Sequence, residues 1–311
     1  MRRKRRSLNL PASVREQLRN VAKELGLDFE LVLIRYAVER LLYRLAVSRH
    51  GNQFVVKGAM LFVLWEENLY RPTRDVDLLG FGRRDPEWLA RVFREICEEE
   101  VEKDGLRFPA ETVGVETIRE EQEYGGVRVR LRALLERARI PMQVDVGFGD
   151  AVVPPPTEVE WPSLLSFPRP RLRVYPREAT VAEKAETIVR LGIANSRMKD
   201  FYDLWWMASR YAFRGETLVQ GVAATFQRRR TKVTSKLPQA LGQEFFRDRL
   251  KGTRWNAFLG KGPLPEAPPP FAEVGEVVGD FLRPVLKAVS SGMLTDMRWP
   301  AGGPWESPTT K

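Results

Sequence analysis

The 311-residue sequence predicts an α+β protein: a small mixed β-sheet core with N-terminal helices before it and a helical C-terminal domain after it. Three observations carry that expectation. Apolar residues recur at helical spacing up to residue 50, short apolar or alternating runs between turn residues occupy 51–153, and helical spacing returns beyond 176. The expected organisation is a helical arm at 1–50, a sheet core at 51–153, a Pro-rich linker at 154–175 and a helical domain at 176–311.

From Pro11 to Leu25, the residues Val14, Leu18, Val21 and Leu25 make one apolar stripe, and Pro11 suits a first helical turn. A second helix begins near Asp28 with Leu31, Ile34, Val38, Leu41, Leu42 and Leu45 on one face, and Gly51 suits its C-terminal cap. The basic start, Arg2 to Arg6, reads as a solvated tail in preference to a docking site. Phe54-Val55-Val56 reads as a buried strand, Lys57-Gly58 as a turn, and Ala59 to Leu69 as a helical run that Pro72 breaks. Arg74 to Leu79 then alternates polar with apolar before Gly80, which implies a second strand. Asp85-Pro86 is a cap and first-turn pair for a helix towards Val101 that buries Trp88, Val92, Phe93 and Ile96.

Strands are expected around Thr112–Thr117, Val127–Leu131 and Met142–Phe148. The middle one puts Arg128, Arg130 and Arg132 on one face, which a solvated edge strand and a nucleic-acid track explain equally well. Six prolines from Pro154 to Pro170 mark the linker. Thr180 and Glu183 have the spacing of a capping box for a helix reaching Ile193, and further helices cover about 197–211, 216–226 and 273–289. Trp205 and Trp206 read as core, and 261–270 as a Pro-rich loop.

Composition narrows the chemistry. One Cys and one His exclude an intrachain disulfide and a Cys/His zinc site, and they leave His50 as the sole histidine for a nucleophile pair, at the end of a helix. Carboxylate chemistry is the expectation. A net charge of +10 points to an anionic partner, nucleic acid or nucleotide first. No apolar run approaches the roughly 18 residues a spanning helix needs, and the basic start lacks the apolar stretch of a secretory signal, so the expected location is cytoplasmic, with no membrane partner.

The segment from Lys57 to Leu78 is the most informative. Side chains on a strand have period two, so Asp75 and Asp77 share a face while Val76 and Leu78 take the other. Two adjacent carboxylates repel one another and are costly to desolvate, and a divalent cation offsets both costs. Hard oxygen ligands favour magnesium, completed by water and phosphate oxygens. The turn at Gly58 offers backbone N–H groups and a helix start to a triphosphate, with Lys57 as a point charge. Asp145, between Val144 and Val146, is a third carboxylate that can join the pair, and three acids on two strands can hold two magnesium ions.

Together these segments resemble the AbiEii/AbiGii-type nucleotidyltransferase toxins of the polymerase-beta-like superfamily. The resemblance runs through Arg35–Leu45, Phe54–Leu61, Arg71–Leu78, Ala182-Glu183-Lys184, Arg197–Leu204 and Thr225-Phe226 with its trailing arginines. It implies a nucleotidyltransferase core in which Asp75 and Asp77 bind metal, Lys184 faces the nucleotide phosphates, and Lys199-Asp200-x-x-Asp203 is the last active-site motif. Lys199, Asp200 and Asp203 have the spacing to share one helix face, as a plain surface salt bridge would also require.

Ala59 stands where relatives commonly have Ser, so Lys57 or backbone N–H groups must replace a hydroxyl contact. Thr73 stands where some relatives are silenced by antitoxin-dependent phosphorylation. The resemblance implies transfer of a nucleoside monophosphate from a triphosphate to RNA, with the tRNA 3′ end as acceptor, and a cognate antitoxin in a toxin–antitoxin or abortive-infection system. The alternatives are nucleotidyl transfer to a protein side chain and a catalytically silent nucleic-acid-binding scaffold; the intact acid pair argues against the latter.

Overall fold

The computed structural model describes residues 9–66, 75–118, 125–234, 236, 238–260, 264, 266–293 and 296–307. The basic start, Arg71 to Arg74 with Thr73, and parts of the expected 59–69 helix and 261–270 loop lie outside them. The chain forms two compact units, 1–149 with 157–174, and 150–156 with 175–311.

The first unit opens with α1 (Leu10–Glu24) and α2 (Phe29–Val47). Asp28 caps α2 by accepting from the Leu31 N–H at 3.2 Å. Gly51 is not the C-terminal cap expected of it: the helix ends at Val47 with Ser48 as its cap. Gly51 instead opens a 3-10 turn, where a Cβ would lie 2.8 Å from the Ala46 carbonyl oxygen, so close approach and not handedness requires the glycine.

β1 (Phe54–Lys57) runs into a 3-10 turn (Gly58–Leu61) and the short α3 (Phe62–Trp65). β2 (Asp75–Gly80) and α4 (Pro86–Glu98) follow, and Asp85 caps α4 as its sequence implies. β3 (Leu106–Arg107), β4 (Gly114–Ile118), β5 (Gly126–Leu135) and β6 (Ala138–Phe148) come next, then β7 (Thr157–Glu160) and β8 (Arg171–Val174).

The sheet is mixed, in the order β3-β5-β6-β2-β1-β8-β7, with β4 also paired to β5. β5 is therefore not a solvated edge strand; both its sides are paired, through 127–135 to β6 and through 126–130 to β4. The proline-rich stretch is not a bare linker either. β8 pairs parallel with β1 and antiparallel with β7, because the prolines fall outside the two strands and leave their N–H groups free to join the ladder.

Alternation on these strands sends Val127, Val129, Leu131, Met142, Val144, Val146, Val76 and Leu78 into the core. Phe54 meets Phe93 of α4 there, at 6.0 Å between ring centroids. A buried ion cluster fixes α2: Arg44 and Arg40 donate to Asp104 at 2.7 and 3.0 Å, and Glu39 accepts from the Ser163 hydroxyl and the Leu164 N–H.

The second unit contains α5 (Arg177–Leu191), α6 (Met198–Arg210), β9 (Phe213–Arg214), α7 (Gly215–Arg228), α8 (Gln243–Phe246), α9 (Arg249–Leu259), α10 (Phe271–Ser291) and β10 (Arg298–Trp299). It is nearly all helix, with one small β9–β10 pair that the sequence does not foreshadow. Thr180 does not cap α5. The helix starts three residues earlier, after Pro176, and the Thr180 hydroxyl points back to the Pro176 carbonyl at 3.4 Å. Phe201, Phe245, Phe246, Trp255 and Phe271 form the aromatic core beside the buried Trp205 and Trp206.

Candidate active site

In the first unit, the face of the sheet opposite Phe54 and Val76 carries the charged residues. Strand register lines them up in a row: Lys57 is opposite Asp77, Asp77 is beside Asp145, and Asp145 is opposite Arg128. Directly paired residues put their side chains on one face, so four charges from four strands are neighbours. Asp75 lies on the same face one step along β2, beside Gln143. Asp75 is exposed and Asp77 half-buried.

Gly58 explains why the turn before the helix is glycine. Its φ of +76° suits glycine, and a Cβ there would lie 2.0 Å from Asp77 Oδ2. The backbone of the turn therefore closes directly over that carboxylate. Ala59 follows in the same turn.

The donor set suits a divalent cation. Asp75 and Asp77 supply hard oxygens from one strand face, which suits magnesium. Asp145 has partners on the neighbouring strand and on its own. Arg128 binds it in a fork, Nε to Oδ1 at 2.8 Å and Nη2 to Oδ2 at 2.9 Å, and Gln143 adds a contact to Oδ2 at 3.3 Å. Among the described residues, no group of three or more carboxylate, His or Cys side chains is placed to hold a metal ion. β5 thus offers Asp145 an arginine that spacing along β6 does not reveal.

The second unit assembles its own charge cluster. Lys184 of α5 donates to Asp200 at 2.9 Å and to Asp203 at 2.7 Å, both on α6, and Arg197 donates to the other oxygen of Asp200 at 2.7 Å. Asp200 and Asp203 are buried. Burial works against ionisation of Asp200, yet the charges of Lys184 and Arg197 outweigh it and hold its carboxyl below the usual range. Lys199 is exposed at the first turn of α6.

Two supports escape sequence reasoning. The buried Lys251 of α9 donates to the carbonyls of Ile193 and Asn195, and the Asn195 side chain accepts from the Arg197 N–H, so the α5–α6 turn is pinned from behind. Arg229 binds Asp150, Glu183 and Glu186, which ties the helix carrying Lys184 to the end of α7. The trailing arginines after Phe226 are the one trace of this in the sequence. His50 is occupied by Glu95 at 2.6 Å, and burial pushes the Cys97 thiol up to about 12, so neither is poised as a nucleophile.

The family model for the nucleotidyl transferase AbiEii toxin, type IV toxin–antitoxin system, matches residues 40–277. The chain belongs to the AbiEii family. It is accordingly a nucleotidyltransferase of a toxin–antitoxin type. No curated protein matches this AbiEii chain in sequence. Among solved structures it is similar to MenT4, a nucleotidyltransferase toxin from Mycobacterium tuberculosis H37Rv, with 19% identity and a TM-score of 0.48 over 92% of this chain and 99% of that one. It is also similar to JHP933 from Helicobacter pylori, with 12% identity and a TM-score of 0.49 over 85% and 95% of the two chains. No helix among the described residues of this AbiEii protein is long and apolar enough to cross a membrane.

Proposed function

We propose that this AbiEii nucleotidyltransferase uses magnesium to transfer a nucleoside monophosphate from a nucleoside triphosphate to RNA, with the tRNA 3′ end as acceptor. Blocked charging would then arrest growth, and a cognate antitoxin would restrain the enzyme. The observation that carries the reading is the carboxylate pair Asp75 and Asp77 on one strand face, with the Gly58 turn closing over Asp77. The net charge of +10 supports an RNA acceptor.

In the reaction, an acceptor hydroxyl oxygen forms a bond to the α-phosphorus as the bond to pyrophosphate breaks, and the hydroxyl proton is lost. Magnesium held by Asp75 and Asp77 would neutralise charge on the triphosphate and favour the ionised hydroxyl. Lys57 and the backbone of Gly58 and Ala59 would meet phosphate oxygens from the turn. Lys184, oriented by Asp200 and Asp203, would supply a fixed ammonium to the phosphates, Lys199 would assist from the protein surface, and Thr73 would be the site of control by phosphorylation.

Incubation of the protein with total RNA and each labelled triphosphate tests this. Label should enter RNA with magnesium present, and Asp75→Asn or Asp77→Asn should lower transfer by about a thousandfold or more while thermal unfolding is retained. Label on protein instead would redirect the reading to a protein acceptor. Undiminished toxicity of both variants would overturn it in favour of a silent scaffold.

A further inference from the structure

We infer that Arg128 stands where a second cation would otherwise be needed: it holds Asp145 in place of a metal ion, so the sheet face takes one divalent cation, on Asp75 and Asp77. This rests on the proposal that the pair binds magnesium, and it concerns what the neighbouring strands add to it.

The first ground is register. Arg128, Asp145 and Asp77 occupy consecutive positions across β5, β6 and β2, so a cation shared between Asp77 and Asp145 would sit beside the Arg128 guanidinium. Arginine stays charged at every working pH, and it would repel that ion. The second ground is occupancy. Both oxygens of Asp145 accept from Arg128, and Oδ2 also accepts from Gln143.

The third ground is rigidity. The pair is mounted on two long strands with continuous pairing from 127 to 135, and its side chains are 29% and 21% exposed, so it is not a loose bridge between mobile chains. Arg128 does have a neighbour on its other side, Glu116 of β4 at 3.8 Å, but Arg130 already binds that carboxylate at 2.8 Å.

The test counts bound Mn²⁺ on the full chain by electron paramagnetic resonance, with a non-hydrolysable triphosphate analogue present, and uses thermal unfolding to verify folding. The wild type should hold one ion in the complex, the one that Asp75 and Asp77 share with the nucleotide, and Asp77→Asn should lose it to the free nucleotide. Asp145→Asn should keep it with less than about a threefold change in affinity, against the roughly 10–100-fold that loss of even an outer-shell partner costs.

Arg128→Gln, which frees Asp145, should gain a second ion, and the double variant Arg128→Gln with Asp145→Asn should lose that gain. Arg128→Lys, which keeps the positive charge, should stay at one. Two ions on the wild type, or equal losses in Asp77→Asn and Asp145→Asn, would overturn the inference while leaving magnesium binding by the pair intact. A wild type whose Mn²⁺ binding is indifferent to Asp75→Asn and Asp77→Asn would overturn the metal reading and this inference together. If Arg128→Gln does not fold, the Asp145→Asn measurement decides alone.

Discussion

Gly58 ties the geometry of the first unit to its chemistry, since the turn it forms has a positive φ and leaves no room for a Cβ beside Asp77. Gly58→Ala meets two costs, the left-handed backbone at about 1–2 kcal/mol and a clash that only movement of the Asp77 carboxylate relieves. The expected outcome is a modest fall in melting temperature with a disproportionate loss of nucleotidyl transfer, measured by unfolding and turnover on the same preparation. A fall in transfer no larger than the folded fraction explains would show that the turn is merely structural.

Asp200 makes a second residue-scale prediction. Its carboxyl is held below its ordinary range in the folded state, so its stabilising contribution is complete above the unfolded pKa of about 3.9 and is lost as pH falls through the lower folded value. Acid unfolding of the wild type should therefore steepen below that range, and Asp200→Asn should show a flatter acid limb from a lower starting stability. Identical acid limbs would remove Asp200 from the account.

At the scale of elements, β8 makes the clearest case. Residues 171–174 sit in a proline-dense stretch, yet Leu172 and Val174 are buried and Val174 is registered against Val56 of β1. Amide hydrogen exchange should place 171–174 with the core strands and not with exposed loops, and Leu172→Ala should cost about 2–5 kcal/mol of stability. Fast exchange throughout that segment would contradict the pairing.

The helices were easier to read. Asp28 and Asp85 cap α2 and α4 through contacts within three residues, so local spacing was enough to find them. Thr180 and Glu183 have inside the helix the same spacing that a capping box has at its start, and Pro176 sets the true start.

For the whole molecule, the excess of 51 basic over 41 acidic residues is a surface property, because the buried arginines Arg40 and Arg44 are already matched with Asp104 and Glu39. RNA binding should weaken steeply and log-linearly with salt, by a factor of roughly ten or more between 50 and 200 mM if several phosphates are contacted. Filter-binding titrations at four salt concentrations check this. A flat response would argue against a phosphate-dominated interface and for a protein acceptor.

The sequence by itself determined whatever depends on neighbours within a few residues. That includes the helices from their apolar spacing, the shared face of Asp75 and Asp77 from the two-residue period of a strand, and the need for glycine before α3. It also carried the family resemblance, since the matching motifs lie along the chain. Tertiary structure decided what depends on residues far apart. Pairing of β5 with β6 gave Asp145 to Arg128, packing of α5 on α7 gave Lys184 the support of Arg229, and Lys251 came from α9 to hold the α5–α6 turn. Charges choose partners by distance in space, and a one-dimensional spacing fixes that distance only within a single helix or strand.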